Sequence, residues 1–233
     1  MTEALLRYAI YWAPRPGSPL SRFGNGWLGR DPDPAGGEPA FPLDGPMPRG
    51  WDKVVAEPRT YGFHATLKPP FRLAPGRSEH ELVVALEGLA ASLRPVDAVD
   101  LRLGAPGRFL ALVPTSRRRE IDLLAGYCIE TLDEFRAPLD TAELARRRAA
   151  GLTPRQDGLL LRWGYPFVFS EFRFHMTLTT GMERVARDRV RAALEDAASD
   201  ACRTPEDIAD LCLFVQRGAG SSFSLARRFP MEG

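Results

Sequence analysis

The chain reads as an α+β protein with mainly antiparallel sheets flanked by helices, and three observations predict this class. Segments of strand length, rich in branched and aromatic residues, alternate with segments whose apolar residues recur at helical spacing. Gly- and Pro-rich turns short enough for hairpins separate the later strands, which favours antiparallel pairing. The pattern Phe-His-x-Thr-Leu also occurs twice, at Phe63–Leu67 and at Phe174–Leu178. Each copy is followed by a helix and then by two strands around Gly-rich turns. That order suggests duplication of one lobe, and so a single two-lobed domain over residues 1–233.

Taken in order, Leu5 to Ala13 (LLRYAIYWA) has the composition of a buried first strand. Residues 14–50 hold nine prolines and eight glycines, which argues against a regular helix or a central strand there. Phe23, Trp27, Leu28 and Phe41 suit an insert that packs on the domain, as a lid or as a structural insertion. Residues 62–68 read as a strand and Glu79 to Leu93 as a helix. Val99 to Leu103 and Phe109 to Val113 flank Gly104-Ala105-Pro106-Gly107 as a hairpin. Arg119 to Phe135 and Thr141 to Ala150 read as helices, the second capped by Thr141, and a short helix follows Thr153-Pro154. Residues 173–179 form the second motif strand, Glu183 to Ala198 a helix, and Ala209 to Gln216 with Ser222 to Arg228 a last strand pair.

Composition narrows the function classes. A chain of 233 residues with 44% hydrophobic and 26% charged residues is an ordinary globular one. Its formal net charge of +1 supplies no strong field for long polyanions, so small substrates are favoured over nucleic acid. The arginine runs Arg117 to Arg119 and Arg146 to Arg148 read as solvated helix faces. Cys128, Cys202 and Cys212 are odd in number and lie in apolar segments, as buried free thiols of a reducing compartment do, with no zinc-ligand pair. The apolar run from Leu5 is broken by Arg7 and ended by Pro14, too short for secretion or membrane spanning. A cytoplasmic protein with no membrane partner is therefore expected, and nothing in the sequence sets its oligomeric state.

The repeated motif carries the chemistry. Alternation along a strand puts Phe63, Ala65 and Leu67 on one face and His64, Thr66 and Lys68 on the other. In the second copy Phe174, Met176 and Leu178 lie inward, while Arg173, His175, Thr177 and Thr179 share the polar face. Cleaving a phosphodiester in line needs a base for the attacking oxygen and an acid for the leaving one, and imidazole can do either near neutral pH. A threonine two residues on sets a hydroxyl beside each imidazole, ready to donate to a non-bridging phosphate oxygen. His64, His175, Thr66 and Thr177 are thus the candidate catalytic residues, with Lys68, Arg173 and Thr179 as candidate substrate-binding residues. No metal or other cofactor is expected, because neither motif offers a carboxylate or thiolate set. The chain has three histidines, and the third, His80, lies at a helix start among charges.

These residues resemble the two-histidine (2H) phosphoesterase superfamily, whose hallmark is a pair of H-x-[TS] motifs on strands facing each other across a two-lobed cleft. His64-Ala65-Thr66 and His175-Met176-Thr177 fit it. A wider likeness runs from Arg7-Tyr8-Ala9-Ile10-Tyr11 through Tyr61-Gly62-Phe63-His64 to Phe174-His175-Met176-Thr177, and it resembles a family of phosphonate-metabolism proteins within that superfamily. The resemblance implies a bilobal, pseudo-twofold fold and hydrolysis of a small cyclic phosphodiester, such as a ribose cyclic phosphate. Two other readings compete. One is a 2′,3′-cyclic phosphodiesterase of RNA ends, with Trp163, Tyr165 and Phe167 as stacking aromatics. The other is a non-catalytic binding module for a phosphorylated metabolite.

Overall fold

A computed structural model describes residues 6–43, 50–149 and 151–233. Leu5, residues 44–49 of the proline-rich segment and Ala150 lie outside them. The first strand, β1 (Arg7–Trp12), is buried on both faces. Tyr8, Ile10 and Trp12 enter the main core, and Ala9 and Tyr11 enter a smaller cluster on the opposite face with Cys212, Phe214 and Phe223. An all-apolar run is what a strand covered on both sides requires.

The proline-rich segment departs from expectation, since Pro19–Leu28 is a helix, α1. Pro19 sits in the first turn, where its missing N–H removes no bond, and Ser18 caps the start by accepting from the Ser21 amide. Leu20, Phe23, Trp27 and Leu28 are buried in the main core. A second helix that the sequence pattern did not reveal, α2 (Trp51–Tyr61), follows and ends at Gly62.

The remaining elements are β2 (Ala65–Phe71), α3 (Glu79–Ser92), β3 (Val96–Val99), β4 (Leu101–Gly104), β5 (Ala111–Pro114), α4 (Arg118–Thr131), α5 (Thr141–Arg148), α6 (Pro154–Trp163), β6 (Met176–Thr177), α7 (Arg184–Ala201), β7 (Glu206–Ile208), β8 (Asp210–Gln216) and β9 (Ser224–Pro230). Ser78 with Glu81 and Thr153 with Gln156 form reciprocal caps on α3 and α6. The cap of α5 is Asp140, paired with Glu143, one residue before the expected Thr141.

Among the described residues the sheet runs β4-β5-β6-β2-β1-β8-β9, with β3 and β7 paired separately, and every pairing is antiparallel. The expected α+β class with mainly antiparallel sheets is the one observed. Leaving β9 aside, the order reads alike from both ends. The run β1, β2, α3, β3, β4 matches β5, β6, α7, β7, β8, and the contact between β2 and β6 lies at the centre. Each half gives its last strand to the other: β4 pairs with β5, and β8 with β1.

Candidate active site

The two motif strands are hydrogen-bonded neighbours at the centre of one sheet, where the resemblance implied strands on opposed walls. Ala65 pairs with Met176. Antiparallel register carried one residue to either side sets His64 across from Thr177 and Thr66 across from His175. Ala65 and Met176 are fully buried in the main core, so the four polar side chains share the other face. The histidines then lie on a diagonal of that square, about 7–8 Å apart at the backbone. All four residues line one cavity of about 450 Å³.

Local geometry repeats in the two motifs. His64 Nδ1 lies 2.8 Å from the Gly62 carbonyl, and His175 Nδ1 lies 2.7 Å from the Arg173 carbonyl. A carbonyl only accepts, so each Nδ1 carries the hydrogen, and each neutral ring presents an unprotonated Nε2. In His64 that Nε2 accepts from the Thr66 hydroxyl at 3.2 Å. Because each histidine occupies the carbonyl two residues before it, regular pairing begins just after it, at Ala65 and at Met176. The second motif strand is accordingly two residues long, shorter than the expected 173–179. Gly62 turns the chain from α2 into the motif with φ of 80°, a left-handed conformation that suits glycine, and a Cβ there would meet Pro32 at 2.7 Å.

The Tyr11 ring stacks on His64 at 3.7 Å between centroids, and Phe109 lies 5.4 Å from His175. Loss of solvation pushes the His64 pKa down to about 4, opposed by its bond to Gly62 and reinforced by His175. Burial lowers His175 as well, opposed by its bond to Arg173. Both rings are therefore neutral bases in the unliganded protein at neutral pH.

The candidate substrate-binding residues divide. Thr179 lines the cavity, but its hydroxyl accepts from the Leu110 amide at 2.9 Å. Lys68 points away. Ile10 pairs with Lys68 and Tyr11 with Thr66, so a bulge makes one residue of β1 oppose two of β2. Lys68 consequently turns into the core, where Nζ donates to the Ile129 carbonyl at 3.2 Å and lies 3.7 Å from Asp133. Simple alternation had placed it beside the histidines. Arg173 also leaves the site: it donates to the Ser170 carbonyl at 2.9 Å and lines a separate groove with Arg102, Arg118 and Asp122.

Other residues enter the cavity that the sequence reading did not select. Arg7, Arg146 and Arg147 line it with Glu57, Tyr61 and Tyr165. Of the Arg146–Arg148 run, read as a solvated face, Arg146 and Arg148 are exposed as expected, Arg146 at the rim of the cavity, and Arg147 is partly buried against it. Of the three aromatics considered for stacking, only Tyr165 reaches the cavity, since Trp163 lines a neighbouring recess and Phe167 is exposed. Among the described residues no cluster of three or more histidine, cysteine or acidic side chains could hold a metal ion. No helix among them is long and apolar enough to cross a membrane. The three cysteines are free, and Cys202 is only partly buried.

Sheet and site together define an α+β protein with a paired histidine-threonine cavity at its centre. The chain belongs to the DUF1045 family, described as proteins of unknown function, whose model matches residues 66–224. It is 37% identical over 238 residues to a protein of Janthinobacterium sp. (strain Marseille) called ribose 1,5-bisphosphate phosphokinase PhnN, covering 100% of this chain and 52% of that one. A protein of the same name from Laribacter hongkongensis (strain HLHK9) is 35% identical over 229 residues, covering 95% of this chain and 51% of its own length. The chain spans about half the length of these relatives.

Proposed function

We propose that this chain is a 2H-type phosphoesterase that hydrolyses a small cyclic phosphodiester, of the ribose cyclic phosphate kind, in a phosphonate-related pathway. The observation that carries the reading is the square of His64, Thr177, Thr66 and His175 at one cavity. A phosphate centred on it would have an imidazole Nε2 on each side and a hydroxyl beside each ring. One Nε2 takes the proton of an attacking water as its oxygen bonds to phosphorus. The other imidazole, protonated, gives its proton to the leaving ring oxygen as the P–O bond breaks. The products are a phosphomonoester and a free hydroxyl. His64, held neutral to low pH, suits the base. An anion between the rings favours their charged forms, so substrate itself helps to protonate the acid, His175.

Cavity size supports a metabolite, since small-molecule sites fall in the range of roughly 300–1,000 Å³. The relatives' name points to ribose phosphates. It need not describe this half of them, because the chain contains no G-x-x-x-x-G-K-[ST] phosphate loop and its two lysines, Lys53 and Lys68, follow no glycine-rich run. A phosphoesterase joined to a phosphokinase would deliver its product at high local concentration.

The test is hydrolysis of a nucleoside 2′,3′-cyclic monophosphate and of a ribose cyclic phosphate by the purified protein, with His64→Ala and His175→Ala beside it. Turnover that persists in EDTA and drops about 10²- to 10⁴-fold in each variant is expected. Near-normal turnover in both folded variants, or activity abolished by EDTA and restored by a divalent ion, would overturn the mechanism.

A further inference from the structure

The cavity that holds the histidines has a second, cationic end. Its charged lining away from the motifs consists of Arg7, Arg146 and Arg147 against a single carboxylate, Glu57. In a chain whose net charge is +1 this is a local concentration of positive charge. Arg147 is half-buried, and its Nε is buried without a hydrogen-bond partner among the described residues. Its guanidinium lies over Tyr165 at 5.4 Å. Neither Arg146 nor Arg147 has a salt bridge among the described residues, whereas Arg148, next along α5, pairs with Asp157 at 2.6 Å. Arg7 donates to Gln216 Oε1 at 2.6 Å, which fixes its direction without neutralising it.

Arg147 feels the charge of both other arginines. Burial lowers the Arg147 pKa, and repulsion from Arg146 and Arg7 adds to that fall while Tyr165 and Glu143 oppose it. Such crowding is unfavourable in the empty protein, and a bound dianion would relieve it. Arg7 and Tyr11 lie on the same face of β1 four residues apart, which is about 13 Å at about 3.3 Å per residue. Tyr11 stacks on His64, so the arginines and the histidines occupy the two ends of one cavity.

We propose that Arg7, Arg146 and Arg147 form a subsite for a second phosphate, so that the substrate is a cyclic phosphodiester bearing a phosphomonoester at its far end. The assignment rests on the phosphoesterase reading for its first phosphate and stands on the arginines for its second. The planar guanidinium forks suit a phosphomonoester, whose oxygens accept paired hydrogen bonds.

Two measurements separate the subsite from the chemistry. The first is calorimetric binding of ribose 5-phosphate, which lacks a cyclic ester, to the His64→Ala, His175→Ala protein with and without Arg147→Gln. Binding that weakens about 10- to 100-fold in the arginine variant, and that falls with added salt, is expected. Absence of binding, or equal binding in both proteins, would overturn the subsite whether or not the protein is a phosphoesterase. The second compares kcat/KM for adenosine 2′,3′-cyclic phosphate with and without a 5′-phosphate. The subsite predicts that the phosphorylated form is preferred and that Arg147→Gln or Arg146→Gln lowers that preference at least about tenfold. A preference ratio that the variants leave unchanged would count against it, and unaltered thermal unfolding excludes a folding defect. If ribose 5-phosphate binds as expected and neither ester is cleaved, the phosphoesterase reading fails alone.

Discussion

At the scale of single residues, two depressed pKa values set the pH behaviour. The rate needs one histidine neutral and the other protonated. With His64 at about 4 and His175 below its ordinary value, the kcat/KM optimum should lie on the acid side of about 6.5. The kcat optimum should sit higher, because bound anion raises both groups. A pair of pH-rate profiles checks this, and a kcat/KM maximum above about pH 7 would contradict it. Thr66→Ala or Thr177→Ala should cost about 10- to 100-fold, less than loss of either histidine. Lys68 gives a prediction about stability. Burial lowers its pKa from 10.5 to about 8, opposed by Asp133. Between those values the unfolded chain binds more protons than the folded one, so this group makes stability rise with pH from about 8 to 10.5. The difference in urea stability between wild type and Lys68→Met, followed across that window, isolates it from groups such as Cys128, whose pKa is pushed up to about 12. The motif histidines were legible because identical letters in register report identical surroundings. The bulge at Lys68 was not, since it depends on pairing with β1, a partner distant in sequence.

At the scale of elements, α1 braces both motif strands. A Cβ on Gly24 would lie 2.0 Å from the Phe63 ring, so the helix packs directly against the residue before His64. Trp27 Nε1 donates to the carbonyl of Leu178, the last residue of the second motif, at 2.8 Å, and Trp51 Nε1 donates to the Trp27 carbonyl at 2.9 Å. Gly24→Ala should destabilise the protein by about 1–3 kcal/mol through overpacking and should lower kcat as Phe63 shifts. Trp27→Phe, which leaves the Leu178 carbonyl unpaired, should cost about 1–3 kcal/mol. Chemical denaturation beside a kinetic assay reads both, and wild-type stability in Gly24→Ala would refute the close packing. This helix was hidden because glycine and proline argue locally against helices. Gly24 and Gly26 are kept small by contacts with Phe63 and Ala40 that only the tertiary structure supplies. Elements with their own signals were legible: the α3 and α6 caps and the Gly104–Gly107 turn are encoded locally.

At the scale of the whole molecule, exchange of terminal strands ties the halves together. Fragments 1–107 and 108–233, cut at the turn between β4 and β5, should each be unfolded, because β1 lacks β8, β4 lacks β5 and β3 lacks β7. Mixed together they should regain far-UV dichroism, and independent folding of either would refute the interlock. The α+β class was readable from the alternation of elements, whereas this exchange was not, since no local pattern states which distant strand a strand will join. The same sheet contains one segment that cannot be closed. Pro69 and Pro70 lie within β2, in the middle of the strand order, and both line the histidine cavity. Lacking amide hydrogens, they have nothing to donate to a β6 lengthened backwards toward Phe172, and its ladder accordingly begins only at Met176. The gap in the sheet's hydrogen bonding is thus written into covalent structure, and the open floor beneath the site cannot zip shut while those two rings remain.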